Sequence, residues 1–210
     1  MEKGAQSTNN NSVIFKELGR QDYLTTLAMM QEFTANRDNE TLDQIWFAEH
    51  DPVFSCGVRT DKNELPRTTD IPVITTDRGG QITYHAPGQL LVYILFDLKR
   101  RSAKIREFIH DFETIMLNTV RYYSEEAILN KSEPGIFIKN KKIVSFGLKF
   151  SKGHSYHGAS INVSMNMAPW KKINICGKKN QQVTDLEQEG ITTNISSVSK
   201  VISQKVLATF

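Results

Sequence analysis

The strongest constraint on this sequence is a glycine-rich stretch that runs directly into an apolar run. Residues 78–89 contain three glycines, a proline and a histidine, and Leu90 to Phe96 follow as seven apolar residues. An apolar run of this length is typical of a strand that is buried on both faces. Glycine has no Cβ, so its backbone amide can approach a ligand closely. We therefore expect a binding loop that a buried strand holds in place.

Hydrophobic periodicity predicts helices on both sides of this stretch. Apolar residues at helical spacing predict a helix at about residues 22–36, with Asp22 as its N-terminal cap. A longer helix is predicted from Ser102 to about Tyr123, with Ser102 as its cap and Ile105 on its core face. A third helix, capped by Ser196 or Ser197, is predicted at the C-terminus.

Strands are predicted between these helices. They cover residues 44–50, 72–75, 90–96 and 159–165, and a hairpin joins 135–138 to 142–148 through a turn at 139–141. Strands that alternate with helices favour one α/β domain, which we expect at residues 13–210. Residues 1–12 hold few apolar side chains and are expected to be a disordered lead-in.

Composition and charge exclude several classes of protein. The chain has 210 residues, of which 39% are hydrophobic, and this is enough for a sizeable core. It contains neither an apolar run of about 18 residues nor a signal-peptide core, so we expect a cytoplasmic protein without a membrane partner. The net charge is only +3, but lysine pairs such as 171–172 and 178–179 favour an acidic protein partner at least as well as nucleic acid.

Two cysteines could carry chemistry. A reducing cytosol argues against a disulfide between Cys56 and Cys176. Cys176 precedes Gly177 and lies among lysines, whose positive charge favours the thiolate. From these neighbours alone, a nucleophilic role and a packed thiol are about equally supported. Cys56 has no such surroundings and is expected to pack in the core.

The other polar candidates have weaker local support. His154, His157 and His85 could bind a metal ion, but their surroundings lack the carboxylates or second cysteine of a plausible zinc site. The glycine stretch lacks the spacing of a Walker loop or a dinucleotide fingerprint. We therefore expect no metal and no cofactor. Lys142 follows a hairpin turn, and its position alone predicts a solvated side chain.

Taken in order, these segments resemble the lipoyl(octanoyl) transferase family. The resemblance spans roughly residues 18–186. The segments that carry it are Glu49–Phe54 with Gly57, Arg78–His85 with Pro87–Gln89, Lys142–Ile143 with Gly147–Leu148, Tyr156–Gly158, Asn162–Val163, Ile173–Gly177 and Val183–Thr184. The chain departs from the family pattern at Ala86, where glycine is usual, and at Ile175, where proline is usual.

The resemblance implies a fold and a set of site residues. The implied fold is that of the biotin and lipoate protein ligases, a single domain with a mixed central sheet flanked by helices. The family's acyl-accepting cysteine corresponds to Cys176, and its lysine partner corresponds to Lys142. The residues implied to line the acyl and pantetheine site are Arg78, Gly79, Gly80, Gln81, Ile82, Thr83, Tyr84, His85, Ser145, Phe146, Gly147, Gly158, Ala159 and Ser160.

The resemblance also implies an activity and its partners. Family members move an octanoyl group from octanoyl-acyl carrier protein, through a cysteine thioester, to a lysine of a lipoyl-domain protein. The implied acceptors are the lipoyl domains of 2-oxoacid dehydrogenase complexes and the glycine cleavage H protein. No cofactor, metal, nucleic acid or membrane takes part.

Four alternatives stay open at this point. The chain could be an amidotransferase that moves lipoyl or octanoyl groups between lipoyl-domain proteins, or an ATP-dependent lipoate ligase. It could be a non-catalytic module that binds acyl carrier protein. A cysteine hydrolase with His85 or His157 as its base is the fourth possibility.

Overall fold

The structure is a computed structural model that describes residues 12–61, 63, 65–66, 69–174 and 181–210. Residues 1–11, most of the predicted lead-in, therefore lie outside the described residues. The helices are α1 (Tyr23–Asn36), α2 (Ile105–Tyr123) and α3 (Ile195–Thr209), with a 3₁₀ helix at Ala168–Lys172. The strands are β1 (Val13–Gln21), β2 (Asp43–His50), β3 (Val53–Cys56), β4 (Val73–Thr75), β5 (Ile82–His85), β6 (Gln89–Leu95), β7 (Ile128–Asn130), β8 (Gly135–Ile138), β9 (Lys141–Ser151) and β10 (His154–Asn162).

The described strands form two sheets. The large sheet has the order β1-β2-β6-β10-β9-β8-β7, and the small sheet has the order β4-β3-β5. Each sheet combines one parallel pair, β1 with β2 and β3 with β4, with antiparallel pairs. This architecture confirms the predicted single domain with a mixed sheet flanked by helices.

Strand β6 lies at the centre of the fold and is buried along its whole length. Its side chains alternate between two apolar clusters, as the pleat of a strand requires. Leu90, Val92 and Ile94 pack with α2 and α3 on one face of the sheet. Leu91 and Tyr93 pack with α1 on the opposite face. The predicted buried strand is therefore confirmed, and its two faces belong to different layers.

All three predicted helices are present, but only one of their predicted caps is correct. Asp22 caps α1, because its carboxylate accepts a hydrogen bond from the backbone amide of Thr25 at 2.8 Å. Ser102 does not cap α2, since its φ is 51° and the residue before the helix is Lys104. Ile105 is 47% exposed, so its predicted place on the core face is wrong. Asn194, and neither serine, caps α3.

Several strands differ from their predictions. The stretch at 78–89 is not a continuous loop, because Ile82–His85 form β5 against β3. Strand β10 begins at His154 instead of residue 159, because its first residues pair with the far end of β9. Strands β1 and β7 were not predicted, since their residues are exposed or half-buried and lack a clear alternation.

A buried carboxylate joins three segments at one edge of the core. Asp43, at the start of β2, has no exposed surface and accepts hydrogen bonds from three guanidinium groups. The bonds come from Arg37 at 2.7 Å, Arg100 at 2.6 Å and Arg101 at 2.5 Å. They connect the end of α1 and the segment after β6 to the same carboxylate.

We predict that Asp43→Asn lowers the free energy of unfolding by about 3–5 kcal/mol, because it leaves buried guanidinium groups without their counter-charge. Urea unfolding at neutral pH measures this loss. Asp51→Asn is the matched control: Asp51 pairs with Arg20, and their side chains are 62% and 58% exposed. That change should cost less than about 1 kcal/mol. Equal losses in the two variants would contradict the role of Asp43.

Candidate active site

A cavity of about 220 Å³ lies between the large sheet and the small sheet. Its floor is formed by β6, β10 and β9, and its roof by the stretch from Arg78 to His85. Of the residues that the sequence predicted for the site, those that line it are Arg78, Gly80, Gln81, Ile82, Thr83, His85, Lys142, Ser145, Phe146, Gly147, Gly158, Ala159 and Ser160. Their role in substrate binding stays a prediction.

Two predicted site residues, Gly79 and Tyr84, are not among those that line the cavity, and a third, Cys176, lies outside the described residues. Gly79 holds the roof to the floor, since its amide donates to the carbonyl oxygen of Leu148 at 3.0 Å. Tyr84 packs in the apolar cluster on the other side of the small sheet. Cys176 lies in the segment 175–180, which is outside the described residues. Its distance from Lys142 is therefore not described either.

The cavity also has walls that the sequence did not predict. These residues are Tyr23, Arg59, Leu91, Tyr93, Ser132, Glu133, Pro134 and His157. Leu91 and Tyr93 belong to the continuous apolar run. Because polar and apolar residues do not alternate in this run, the sequence does not show which of its side chains face a ligand. Tyr23, the first residue of α1, packs in the apolar cluster beneath that helix and also borders the cavity.

Small residues form the floor of the cavity. Gly147 pairs with Gly158 across β9 and β10, and Ser145 pairs with Ser160 two residues further along. Gly135 on β8 continues the second row, because it pairs with Ser145. We call these five residues the trough. Residues two apart in a strand face the same side of a sheet, so the trough is a continuous shallow surface.

Glycine in the trough also allows the roof to come close. A Cβ atom on Gly147 would lie 3.1 Å from Cδ of Arg78 and 3.2 Å from the carbonyl oxygen of Gly79. Both distances are shorter than an ordinary van der Waals contact, so a larger residue would lift the roof. The Arg78 side chain therefore lies across the trough because position 147 is glycine.

Lys142 lies at one end of the trough and is only 3% exposed, which overturns the solvated position predicted from its place after the hairpin turn. In the β8–β9 ladder, Ile136 pairs with Val144 and Phe137 pairs with Lys142, so Ile143 is an extra residue. Regular alternation would place Lys142 on the same face as Val144, which packs against the helices. The bulge turns the Lys142 side chain towards the trough instead.

The ammonium group of Lys142 has defined neighbours. Its Nζ donates to the carbonyl oxygen of Pro134 at 2.8 Å and lies 5.6 Å from the centre of the Phe137 ring. A Cβ on Gly135 would lie 2.5 Å from Cε of Lys142, so this glycine leaves room for the side chain. These contacts hold the cation beside the second row of the trough.

The backbone of Lys142 is bound to the segment that follows Cys176 in the sequence. Its amide donates to Gln182 at 2.9 Å, and its carbonyl oxygen accepts from the amide of Thr184 at 3.0 Å. Asn162, at the end of β10, also donates its side-chain amide to the carbonyl oxygen of Thr184. The chain therefore returns from the segment 175–180 directly beside Lys142.

A directed chain of hydrogen bonds fixes His85 in the roof. The side-chain amide of Gln89 donates to Tyr84 and Asn162, so its oxygen must accept from Nδ1 of His85 at 2.7 Å. Nε2 of His85 then accepts from the Ser55 hydroxyl at 2.9 Å, and that hydroxyl oxygen accepts from Arg78. Both ring nitrogens are occupied, and burial holds the pKa of His85 well below its usual value.

Two further histidines are buried, His50 behind the cavity-lining Tyr93 and His157 in the cavity wall. His50 Nδ1 bonds to the carbonyl oxygen of Gln21 at 2.8 Å, and its Nε2 accepts from the Tyr93 hydroxyl at 2.5 Å. His157 Nε2 bonds to the Asp77 carboxylate at 2.9 Å. Burial lowers the pKa of both histidines, and the bonds to Gln21 and Asp77 only partly oppose this effect. Burial therefore favours the neutral form of all three rings.

The roof of the cavity contains buried polar atoms that have no hydrogen-bond partner among the described residues. They are Oγ1 of Thr83 and Oε1 of Gln81, and both residues line the cavity. Thr83 is only 9% exposed, and it lies on the same face of β5 as His85. A buried hydroxyl without a partner is costly, so this wall suits a ligand that carries a hydrogen-bonding group.

Ala86 is accommodated without distortion. Its φ is not positive, and its side chain packs with Met165 and Trp170 in the cluster behind the small sheet. Gly88 is the position in this turn that requires glycine, because its φ is 85° and a Cβ would lie 1.7 Å from the carbonyl oxygen of Ser164.

Cys56 is a core residue, in agreement with its predicted packing. It is 4% exposed and lies in the cluster behind the small sheet. Burial raises the pKa of its thiol, against the smaller opposing effect of Arg78.

Among the described residues, no three His, Cys, Asp or Glu side chains are grouped so that they could hold a metal ion. None of the described helices is long and apolar enough to cross a membrane.

Comparison with solved structures identifies the class of fold. A bipartite lipoate protein ligase from Thermoplasma acidophilum superposes with a TM-score of 0.77 at 15% identity, over 94% of this chain and 83% of that one. The chain is thus an α/β protein with the lipoate protein ligase fold.

Sequence comparison identifies the family. Residues 22–207 match the model of the lipoyl protein ligase A/B catalytic domain, and the chain belongs to that family. An octanoyltransferase of Vibrio cholerae is 40% identical over 200 residues, covering 94% of this chain and 91% of its own length. Another, from Vesicomyosocius okutanii, is 43% identical over 190 residues, covering 89% and 92%. The chain is an acyltransferase, as its resemblance implied.

The buried histidines predict a pH-dependent stability. Because their pKa values are lowered on folding, the unfolded chain binds more protons than the folded chain below pH ~6.5. The free energy of unfolding should therefore fall as pH decreases from 7 to 5, by up to about 1.4 kcal/mol per pH unit for each histidine. Urea unfolding across this range measures the slope.

His85→Gln should reduce that slope. His110→Gln is the matched control, because His110 is exposed on α2, and it should leave the slope unchanged. A slope that is the same in the wild type and in His85→Gln would show that burial of this neutral ring does not contribute to the pH dependence.

Proposed function

We propose that the chain is a cytoplasmic octanoyltransferase that takes an octanoyl group from octanoyl-acyl carrier protein onto Cys176. It then passes the group to a lysine of a lipoyl domain, in 2-oxoacid dehydrogenase complexes or in the glycine cleavage H protein. The names of its relatives support octanoyl transfer. The donor, the thioester intermediate and the acceptors are part of the proposal.

The observation that carries the proposal is the position of Lys142. A bulge turns this lysine out of the helical core and towards a cavity floored by glycine and serine. Burial of a cation costs free energy unless the group is paired and hydrogen-bonded, so a lysine held against the cavity wall is a candidate for a role in the chemistry. Its backbone is also bonded to the segment that follows Cys176, so the two halves of the proposed pair lie on connected pieces of chain.

The proposed chemistry has two steps. The Cys176 thiolate attacks the carbonyl carbon of the octanoyl thioester, the bond to the pantetheine sulfur breaks, and the Lys142 ammonium gives that sulfur a proton. In the second step the neutral amine of the acceptor lysine attacks the thioester on Cys176. The amine loses a proton to Lys142 as an amide forms, and the Cys176 thiolate is released.

The cavity walls fit the parts of such a donor. The trough can take the apolar chain, while the unpartnered Thr83 hydroxyl and the Arg78 side chain offer polar contacts to the thioester and the pantetheine amides. Arg59 lines the cavity and is exposed, so it places a positive charge at the opening. A positive charge there suits an acidic carrier protein.

The geometry gives less support to a hydrolase that uses a histidine base. Both ring nitrogens of His85 are bonded within the roof, and Nε2 of His157 is bonded to Asp77. A base needs a free nitrogen within reach of the proton that it removes. The described hydrogen bonds leave no such nitrogen on His85.

We predict that incubation with octanoyl-acyl carrier protein leaves an octanoyl adduct on Cys176. Intact-mass and peptide mass spectrometry should find it in the wild type and in Cys56→Ser, and not in Cys176→Ala. Addition of a lipoyl domain should remove the adduct and octanoylate the domain without ATP. An adduct on Cys56, or transfer that survives in Cys176→Ala, would contradict the proposal.

The same experiment separates the alternatives. Transfer only from an octanoylated protein would indicate an amidotransferase, and a requirement for free lipoate and ATP would indicate a ligase. Release of free octanoate without transfer would indicate a hydrolase, and binding of the carrier protein without turnover would indicate a non-catalytic module.

A further inference from the structure

The trough has two defined ends. Lys142 Nζ lies at the β8 end, beside Gly135. Ser160 pairs with Leu91 of β6, so the second row runs from Gly135 through Ser145 and Ser160 to Leu91. Leu91 lines the cavity, is 3% exposed and is the first large side chain in that row. It therefore closes the trough opposite the lysine.

The length of the row fits a chain of about eight carbons. Three inter-strand spacings separate Gly135 from Leu91, or about 14 Å. An extended chain advances about 1.2 Å per bond, so the seven carbon–carbon bonds of an octanoyl group span about 8 Å. The remainder accommodates the Leu91 side chain and a contact of about 3 Å between Lys142 and the thioester oxygen.

The first row ends differently. Gly158 pairs with Tyr93, whose hydroxyl is bonded to His50, and the next residue in that row is Trp46. Shortening Tyr93 would break a buried hydrogen bond and expose another large ring. Beyond Leu91, by contrast, the next residue is Ala48, which is buried and small. Shortening Leu91 would therefore lengthen the trough.

We propose that Leu91 sets the maximum length of the straight saturated acyl chain that the site accepts. This inference rests on the proposed acyl transfer and extends it to the specificity of the site. A second observation marks the cavity as a ligand site independently of its small residues: the unpartnered hydroxyl of Thr83 in its wall. Leu91 acts by steric exclusion, so it affects which donor binds and leaves the chemistry to other residues.

The test compares Leu91→Ala with Leu90→Ala. Leu90 is the same residue type on the same strand, is equally buried, and packs on the opposite face against the helices. The measured quantity is the ratio of kcat/KM for decanoyl- and dodecanoyl-carrier protein to kcat/KM for octanoyl-carrier protein. Leu91→Ala should raise this ratio roughly tenfold to hundredfold, the effect of added methylenes in an apolar pocket. Leu90→Ala should leave the ratio unchanged while it lowers stability.

Leu91→Val and Leu90→Val repeat the comparison with a smaller loss of core volume, in case the alanine variants do not fold. The valine variant at 91 should shift the ratio in the same direction by a smaller factor. An unchanged ratio in the variants at 91, or an equal shift in those at 90, would overturn the role of Leu91. A wild type that transfers no acyl group from any carrier protein would overturn the proposed function as well.

Discussion

The close approach of the glycine-rich roof to the floor of the large sheet is the constraint on which the rest of the site depends. The hydrogen bond from Gly79 to Leu148 fixes this distance, and the absence of a side chain at Gly147 permits it. Arg78 then lies buried across the trough, and its guanidinium group orients Ser55 and His85. The roof is therefore a preorganised polar wall whose rotamers and tautomers are set before a substrate arrives.

A single extra residue in β9 turns a lysine towards this cavity. Ile143 shifts the alternation of β9, so that Lys142 faces the trough while Val144 continues to pack in the core. The backbone of Lys142 also pairs with Gln182 and Thr184. The bulge thus places a cation at one end of the trough and connects it to the segment that follows Cys176, in keeping with the frequent occurrence of bulges beside active sites.

The sequence predicted those features that depend on local pattern. The Asp22 cap, the buried run that became β6 and the hairpin at Lys139–Asn140 follow from neighbouring residues. The burial of Lys142 could not be predicted in the same way, since it depends on pairing between β8 and β9. The position of Leu91 in the cavity wall could not be predicted, because every residue of β6 is buried. Only its pairing with Ser160 of β10 places it beside the trough.

In the proposed mechanism Lys142 also stabilises the thiolate of Cys176, because a nearby positive charge favours that form. The rate of alkylation of Cys176 by iodoacetamide as a function of pH tests it directly, in a Cys56→Ser background that contains no second thiol. Lys142→Met keeps the length of the side chain and removes its charge. We predict that this change moves the midpoint of the alkylation profile to higher pH by about 1–3 units, as expected for loss of a nearby opposite charge. The same midpoint with lysine and with methionine would contradict this role of Lys142.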